Sequence, residues 1–147
     1  NYQKAKRNIE DSPFAQKIRI LNKVVGSEPI WVPKEFVGTG QSISHDFAEK
    51  KKGYVKVGHE KLDGILDRSI CGRVAVKIDC EGAEVGILKD TDLKGVYIMQ
   101  IEYHGKESCL ELTKIHKKQG FDVRVSEPQQ ISGFYFKEIG FIYATRK

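Results

Sequence analysis

The sequence predicts an α/β fold built on a mostly parallel sheet that ends in an antiparallel hairpin. Three observations predict it. From Arg73 onward the segments alternate as strand, helix, strand, helix, strand and hairpin, the order that right-handed crossovers between parallel strands produce. "VYIMQIEYH" is a nearly continuous apolar run, the mark of a strand covered on both faces. "GFYFKEIGFIYATRK" alternates aromatic and polar residues around Gly140, as a closing hairpin would.

The elements follow in order. "NYQKAKRNIE" carries Tyr2, Ala5 and Ile9 at helical spacing, a helix ending near "DSP". "KIRILNKVVG" is rich in Ile and Val and stops at Gly26, a buried strand and then a loop. Residues 26–58 mix Gly26, Pro29, Pro33, Gly38 and Gly40 with apolar pieces, which suggests an irregular insertion or hairpin inside one domain. Within that stretch "SHDFAEKKKG" reads as a short helix and "YVKVG" as a short strand. "HEKLDGILDRS" presents Leu62, Ile65 and Leu66 on one helical face despite Gly64. "RVAVKID" is a strand, "GAEVGILKD" a helix with Ala83, Ile87 and Leu88 inward, and "ESCLELTKIHKKQG" a helix stopped by Gly120. "FDVRVSEP" is the next strand.

At 147 residues the chain has the size of a single domain, taken here as 1–147. No apolar stretch is long enough to span a bilayer and no leader pattern is present, so the expected address is cytoplasmic. Cys71, Cys80 and Cys109 lack paired spacing and read as reduced thiols. The net charge of +5 and pI of about 9.0 raise the question of nucleic acid. The lysines are spread over helices as a solvated face, with no aromatic and basic reader motif among them, so no nucleic-acid partner is expected.

Against this basic background, acidic residues gather at one strand-to-helix corner. Asp79 and Glu81 follow "VAVKI", and Glu102 and His104 end "VYIMQIEYH". Each pair has i, i+2 spacing, which puts both side chains on one face while the backbone stays extended. Ligands of open parallel sheets sit beyond these carboxyl ends. A purely structural account has Glu81 capping the following helix and Glu84 favouring its positive end. A functional account takes one of three forms: carboxylates orienting a substrate while His104 accepts a proton, oxygen and nitrogen ligands for a divalent metal, or a seat for a cationic cofactor. Spacing alone leaves these open. His45, His59 and His116 have no ligand-spaced partner, so each reads as a surface or helix residue, and Gly38-Thr39-Gly40 lacks the third glycine of a dinucleotide loop.

"VKIDCEGAEVGILKD" resembles the signature of the FkbM-like methyltransferases, a K-I-D-x-E-G-x-E segment between the fourth strand and its helix, here Lys77, Ile78, Asp79, Glu81, Gly82 and Glu84 in unbroken register. "NYQKAKRNI", "KVVGS", "KLDGIL", "IEYH" and "QGFDV" resemble flanking family segments in the right order. The resemblance implies a Rossmann-like methyltransferase sheet and S-adenosylmethionine-dependent methyl transfer, usually to oxygen; the acceptor itself cannot be read from the sequence, and a small molecule or glycan is the expected partner. It implies catalytic roles for Asp79, Glu81, Glu102 and His104, with Asp79 and Glu81 also near the methyl donor and Glu102 and His104 facing the acceptor. It does not imply a resident metal.

The family's glycine-rich cofactor loop and ribose-binding acid stand before the point where "NYQ" begins, so the amino-terminal strands of the sheet are expected to be missing here. On that expectation the chain is the carboxyl-terminal part of a longer polypeptide and by itself binds S-adenosylmethionine poorly, which tight calorimetric binding would refute. The alternative from another class is a non-catalytic methyltransferase-like domain that holds an anionic partner through its basic surface.

Overall fold

A computed structural model describes residues 2–33, 52–68, 72–130 and 138–146. Helix α1 (Tyr2–Glu10) leads through a 3-10 turn at Ala15–Lys17 to β1 (Val24–Val25), β2 (Ile30–Pro33), β3 (Tyr54–Val57), β4 (His59–Glu60) and α2 (Leu62–Leu66). Then follow β5 (Val74–Ile78), α3 (Glu84–Leu88), β6 (Val96–His104), α4 (Lys106–Lys118), β7 (Asp122–Val125), β8 (Gln129–Gln130) and β9 (Glu138–Thr145). The expected helix in "SHDFAEKKKG", the Gly38-Thr39-Gly40 loop, His45 and Cys71 lie outside the described residues. No helix among the described residues is long and apolar enough to cross a membrane.

The main sheet runs β5-β6-β9-β7, with β8 paired to β9. Its β5–β6 ladder is parallel, with Ile78 opposite Ile101. The ladders of β9 to β6, β7 and β8 are all antiparallel. β6 and β7, joined through α4, thus run the same way with β9 filling the slot between them. Among the described residues, parallel pairing is therefore confined to one ladder of this sheet, because the final strand inserts where two parallel strands would otherwise meet. The antiparallel closure also differs in detail from the expected hairpin. Gly140 lies inside β9 opposite Tyr103 and makes no turn, while β8 and β9 pair across residues 131–137, which lie outside the described residues.

One sheet face carries the core. Met99, Ile101 and Tyr103 alternate inward along β6 and join Ile142 and Ala144 of β9, Leu88 of α3 and Leu112 of α4 in a buried cluster. The opposite face corrects the inference drawn from the continuous apolar run. Ile98 and Tyr143 on that side are about two-fifths exposed, at 40% and 41%. An apolar strand signals burial on both faces only if both have something to cover them, and the described helices α3 and α4 pack together against a single face.

Helix α4 places the end of β6 accurately because both of its ends are fixed. Gly105, at φ 88°, turns the chain out of β6, and its amide donates to Glu138 O at 2.9 Å. At the other end Gly120 adopts φ 84°, while the amides of Phe121 and Gly120 donate to His116 O and Lys117 O at 3.1 and 3.0 Å. That is the left-handed stop expected from the sequence. His116 is a helix residue, as expected, but fully buried. Its Nδ1 bonds Leu112 O at 2.6 Å, and burial keeps its imidazole below its ordinary pKa.

The amino-terminal part is looser. Tyr2, Ala5 and Ile9 are the half-buried positions of α1, which matches the helical periodicity. The strand expected over "KIRILNKVVG" shrinks to Val24–Val25, paired in parallel with His59–Glu60 of β4. A ladder is no longer than its partner, and Ile18 stays 45% exposed with no described strand beside it. β2 and β3 form an antiparallel pair, Ile30 to Val57 through Pro33 to Tyr54.

Candidate active site

The parallel register of β5 and β6 brings two strand ends side by side. β5 stops at Ile78, opposite Ile101, and β6 runs on to His104. Glu102 and His104 share a face of β6, as strand parity requires, with Glu102 Oε1 3.9 Å from His104 Nε2. Asp79 and Glu81 reach the same place differently. They lie beyond β5 in a turn where Glu81 adopts φ 52° and Gly82 φ 102°, so the extended-backbone argument does not hold for that pair. The turn still brings Glu81 Oε2 to 3.5 Å from His104 Nε2. A non-glycine residue in the left-handed region costs of order 1 kcal/mol and persists where its surroundings dictate it.

Glu84 dictates it. Its side chain is fully buried. Oε1 accepts hydrogen bonds from the amides of Cys80 at 2.9 Å and Gly82 at 3.2 Å, and His104 Nδ1 lies 3.2 Å from the same oxygen. The structural account of the corner is thereby revised. Helix α3 starts at Glu84 with Ala83 as its N-cap and no side-chain cap bond, so Glu81 does not cap it. Glu84 stands in the first turn of the helix as expected, but its side chain reaches backward into the preceding turn. Sequence reasoning missed Glu84 as a site residue, yet a signal was there: it lies four residues before Leu88, on the inward face of the helix.

The electrostatics are those of a histidine among carboxylates. Hydrogen bonding to Glu84 raises the His104 pKa above its ordinary value; burial opposes this, and the charges of Glu84, Glu81 and Glu102 add to it. Burial works against ionisation of Glu84, but the donors His104, Cys80 and Gly82 outweigh it and hold that carboxyl below its usual value. Glu102 moves up, first through burial and then through the charge of Asp79. Cys80 is also pushed up, by burial and by Glu84, so its thiol stays protonated and is no nucleophile. The nearby cation is Lys77, 3.9 Å from Asp79.

Asp79, Glu102 and His104 each offer one donor atom within 4.8 Å of the others. Such a set of oxygens and one nitrogen suits a cationic group, whether organic or a divalent ion. All four residues singled out from the sequence therefore converge, and Glu84 stands behind them. His59 is exposed on β4.

No curated protein and no solved structure matches the chain. The family described as the methyltransferase FkbM domain matches over residues 7–123, from within α1 to β7. That span takes in the acidic turn, α3, the Glu102–His104 strand end and α4. With four-fifths of its length matched and the signature acids folded around one histidine, the chain belongs to the FkbM methyltransferase family.

Proposed function

We propose that this corner serves S-adenosylmethionine-dependent methyl transfer to a hydroxyl oxygen, with His104 accepting the hydroxyl proton at Nε2. The observation that carries the reading is the polarity of the imidazole: Nδ1 meets the buried Glu84 carboxylate, and Nε2 faces Glu81 and Glu102 at the strand ends. The residues present fit a cationic methyl donor. Carboxylates outnumber cations here, and Glu102 is already raised in part by the charge of Asp79, so a sulfonium or ammonium group would relieve that repulsion. Asp79 and Glu81 would hold it.

When bound, the donor supplies a methyl group on sulfur, whose transfer to oxygen leaves a neutral thioether and releases one hydroxyl proton. The chain's own residues handle that proton and the acceptor. Glu81 and Glu102 orient the hydroxyl beside Nε2, which matters because positioning supplies much of the rate of a two-reactant displacement. His104 takes the proton, and the resulting imidazolium is stabilised by Glu84, Glu81 and Glu102. The same acidic lining favours a neutral polyhydroxylated small molecule or glycan over an anionic acceptor.

The test uses the full-length protein with labelled S-adenosylmethionine and a panel of hydroxylated acceptors. Asp79→Asn combined with His104→Gln should abolish transfer. Transfer at the unmodified rate by the double variant would sink the reading. Salt-sensitive binding of an anionic partner that the double variant retains, with no transfer by the unmodified protein, would favour the non-catalytic alternative.

A further inference from the structure

We propose that Glu84 is a positioning residue, whose buried carboxylate fixes the proton of neutral His104 on Nδ1 and leaves Nε2 as the basic nitrogen. This rests on the reading of His104 as proton acceptor, but its physical content stands apart from activity. An ionised carboxylate only accepts hydrogen bonds, so neutral imidazole keeps its hydrogen on the nitrogen that a carboxylate oxygen approaches more closely: Nδ1 lies 3.2 Å from Glu84, whereas Nε2 lies 3.5 Å from Glu81 and 3.9 Å from Glu102. Neutral imidazole has one ring proton, and with that proton on Nδ1 the lone pair falls on Nε2. The shorter, 3.2 Å approach of Glu84 Oε1 to Nδ1 therefore favours that tautomer.

Glu84 is itself held in place. Two backbone amides, two residues apart, donate to one carboxylate oxygen, and they converge because Glu81 takes a left-handed conformation between them. Backbone donors cannot rotate away as side chains can, so the carboxylate is oriented before any substrate arrives. Its full burial excludes water that would compete for Nδ1.

The groups facing His104 come from several elements. Glu84 approaches from α3, Glu81 from the turn after β5, and Glu102 from β6 itself. Asp79 joins through the shared donor cluster, with Lys77 beside it. Cys80 contributes a protonated thiol next to Glu84, and β9 sets the apolar Ile139 opposite His104. Of these, Glu84 is the group that approaches Nδ1, at 3.2 Å. Removing it should shift the ring proton away from Nδ1, whereas removing Glu81 or Glu102, which face Nε2, should not.

The experiment is nitrogen-15 NMR of the imidazole ring, combined with kinetics on Glu84→Gln and Glu84→Asp. In the unmodified protein, above the His104 pKa, the ring proton should sit on Nδ1. A proton on Nε2 overturns the proposal without any variant. In Glu84→Gln the tautomer preference should weaken, His104 should titrate at lower pH, and kcat should fall about 100-fold with little change in KM. Glu84→Asp should recover part of each effect. A folded Glu84→Gln protein with unchanged His104 tautomer and titration overturns the proposal. If the unmodified protein transfers no methyl group but the tautomer responds to Glu84→Gln, the positioning role stands and the assignment of His104 as base falls.

Discussion

Replacing His104 with glutamine should lower kcat/KM for methyl transfer by about 10²–10⁴-fold, the range lost when a positioned general base is removed. Glutamine is the informative choice because its amide can still donate to the buried Glu84 oxygen that His104 Nδ1 now meets. Alanine would leave that carboxylate buried beside a void, at a cost of about 3–5 kcal/mol that would confound activity with folding. The pH profile gives the second readout. If His104 is the base, activity of the unmodified protein should rise as it loses its proton, and its pKa is raised, first by hydrogen bonding to Glu84, so the midpoint should lie above the ordinary imidazole value. The glutamine variant should lose that limb. Full activity with an unchanged limb would show that another group takes the proton.

The same pair makes stability depend on pH with a determined sign. His104 has a raised folded pKa, so its contribution is fully present below its unfolded value and is lost as pH rises through the folded one. Glu84 has a lowered folded pKa, so its contribution is present above its unfolded value and is lost as pH falls through the folded one. The pair therefore stabilises most between the two, and His104→Gln should remove the alkaline part of that dependence.

The sequence made the corner legible through two local features, and each reached as far as its physics allowed. Strand parity placed Glu102 with His104 correctly because β6 remains extended through both. It grouped Asp79 with Glu81 for the wrong reason, since the left-handed turn at Glu81 depends on Glu84, a side-chain interaction that no pattern of apolar residues encodes. Glu84 itself was hidden by a sound rule. Acidic residues at helix starts normally face solvent and favour the positive end, and only its spacing from Leu88 argued otherwise. The alternation of strands and helices after Arg73 anticipated β5, α3, β6, α4 and β7. It was silent on strand order, because the insertion of β9 between β6 and β7 is a long-range pairing that local alternation does not encode.

That insertion has a steric requirement, and testing it should give the largest stability effect away from the site. Replacing Gly140 with alanine should cost about 3 kcal/mol and lower Tm by roughly 10 °C. Alanine favours strand interiors over glycine by about 0.5–1 kcal/mol, so composition alone predicts a small gain. The backbone would permit it, since Gly140 is not among the positive-φ residues. Space does not. A Cβ built there would lie 2.5 Å from the Tyr103 hydroxyl oxygen and 2.6 and 2.8 Å from ring carbons. Tyr103 is 2% exposed, opposite Gly140 on the ladder, and a ring so enclosed cannot step aside as a surface side chain would. Overpacking therefore outweighs propensity. Tyr103 also directly precedes His104, so a displaced ring pulls on the strand end that carries His104. The pair is testable as a cycle. Tyr103→Leu alone should destabilise by about 2–4 kcal/mol through the lost ring. Combined with Gly140→Ala, it should give a protein more stable than the sum of the singles by at least about 1 kcal/mol, because leucine vacates the space that the added methyl group needs. Additive denaturation free energies would mean that the ring and the glycine do not constrain each other, and that β9 holds its place between β6 and β7 through backbone pairing alone.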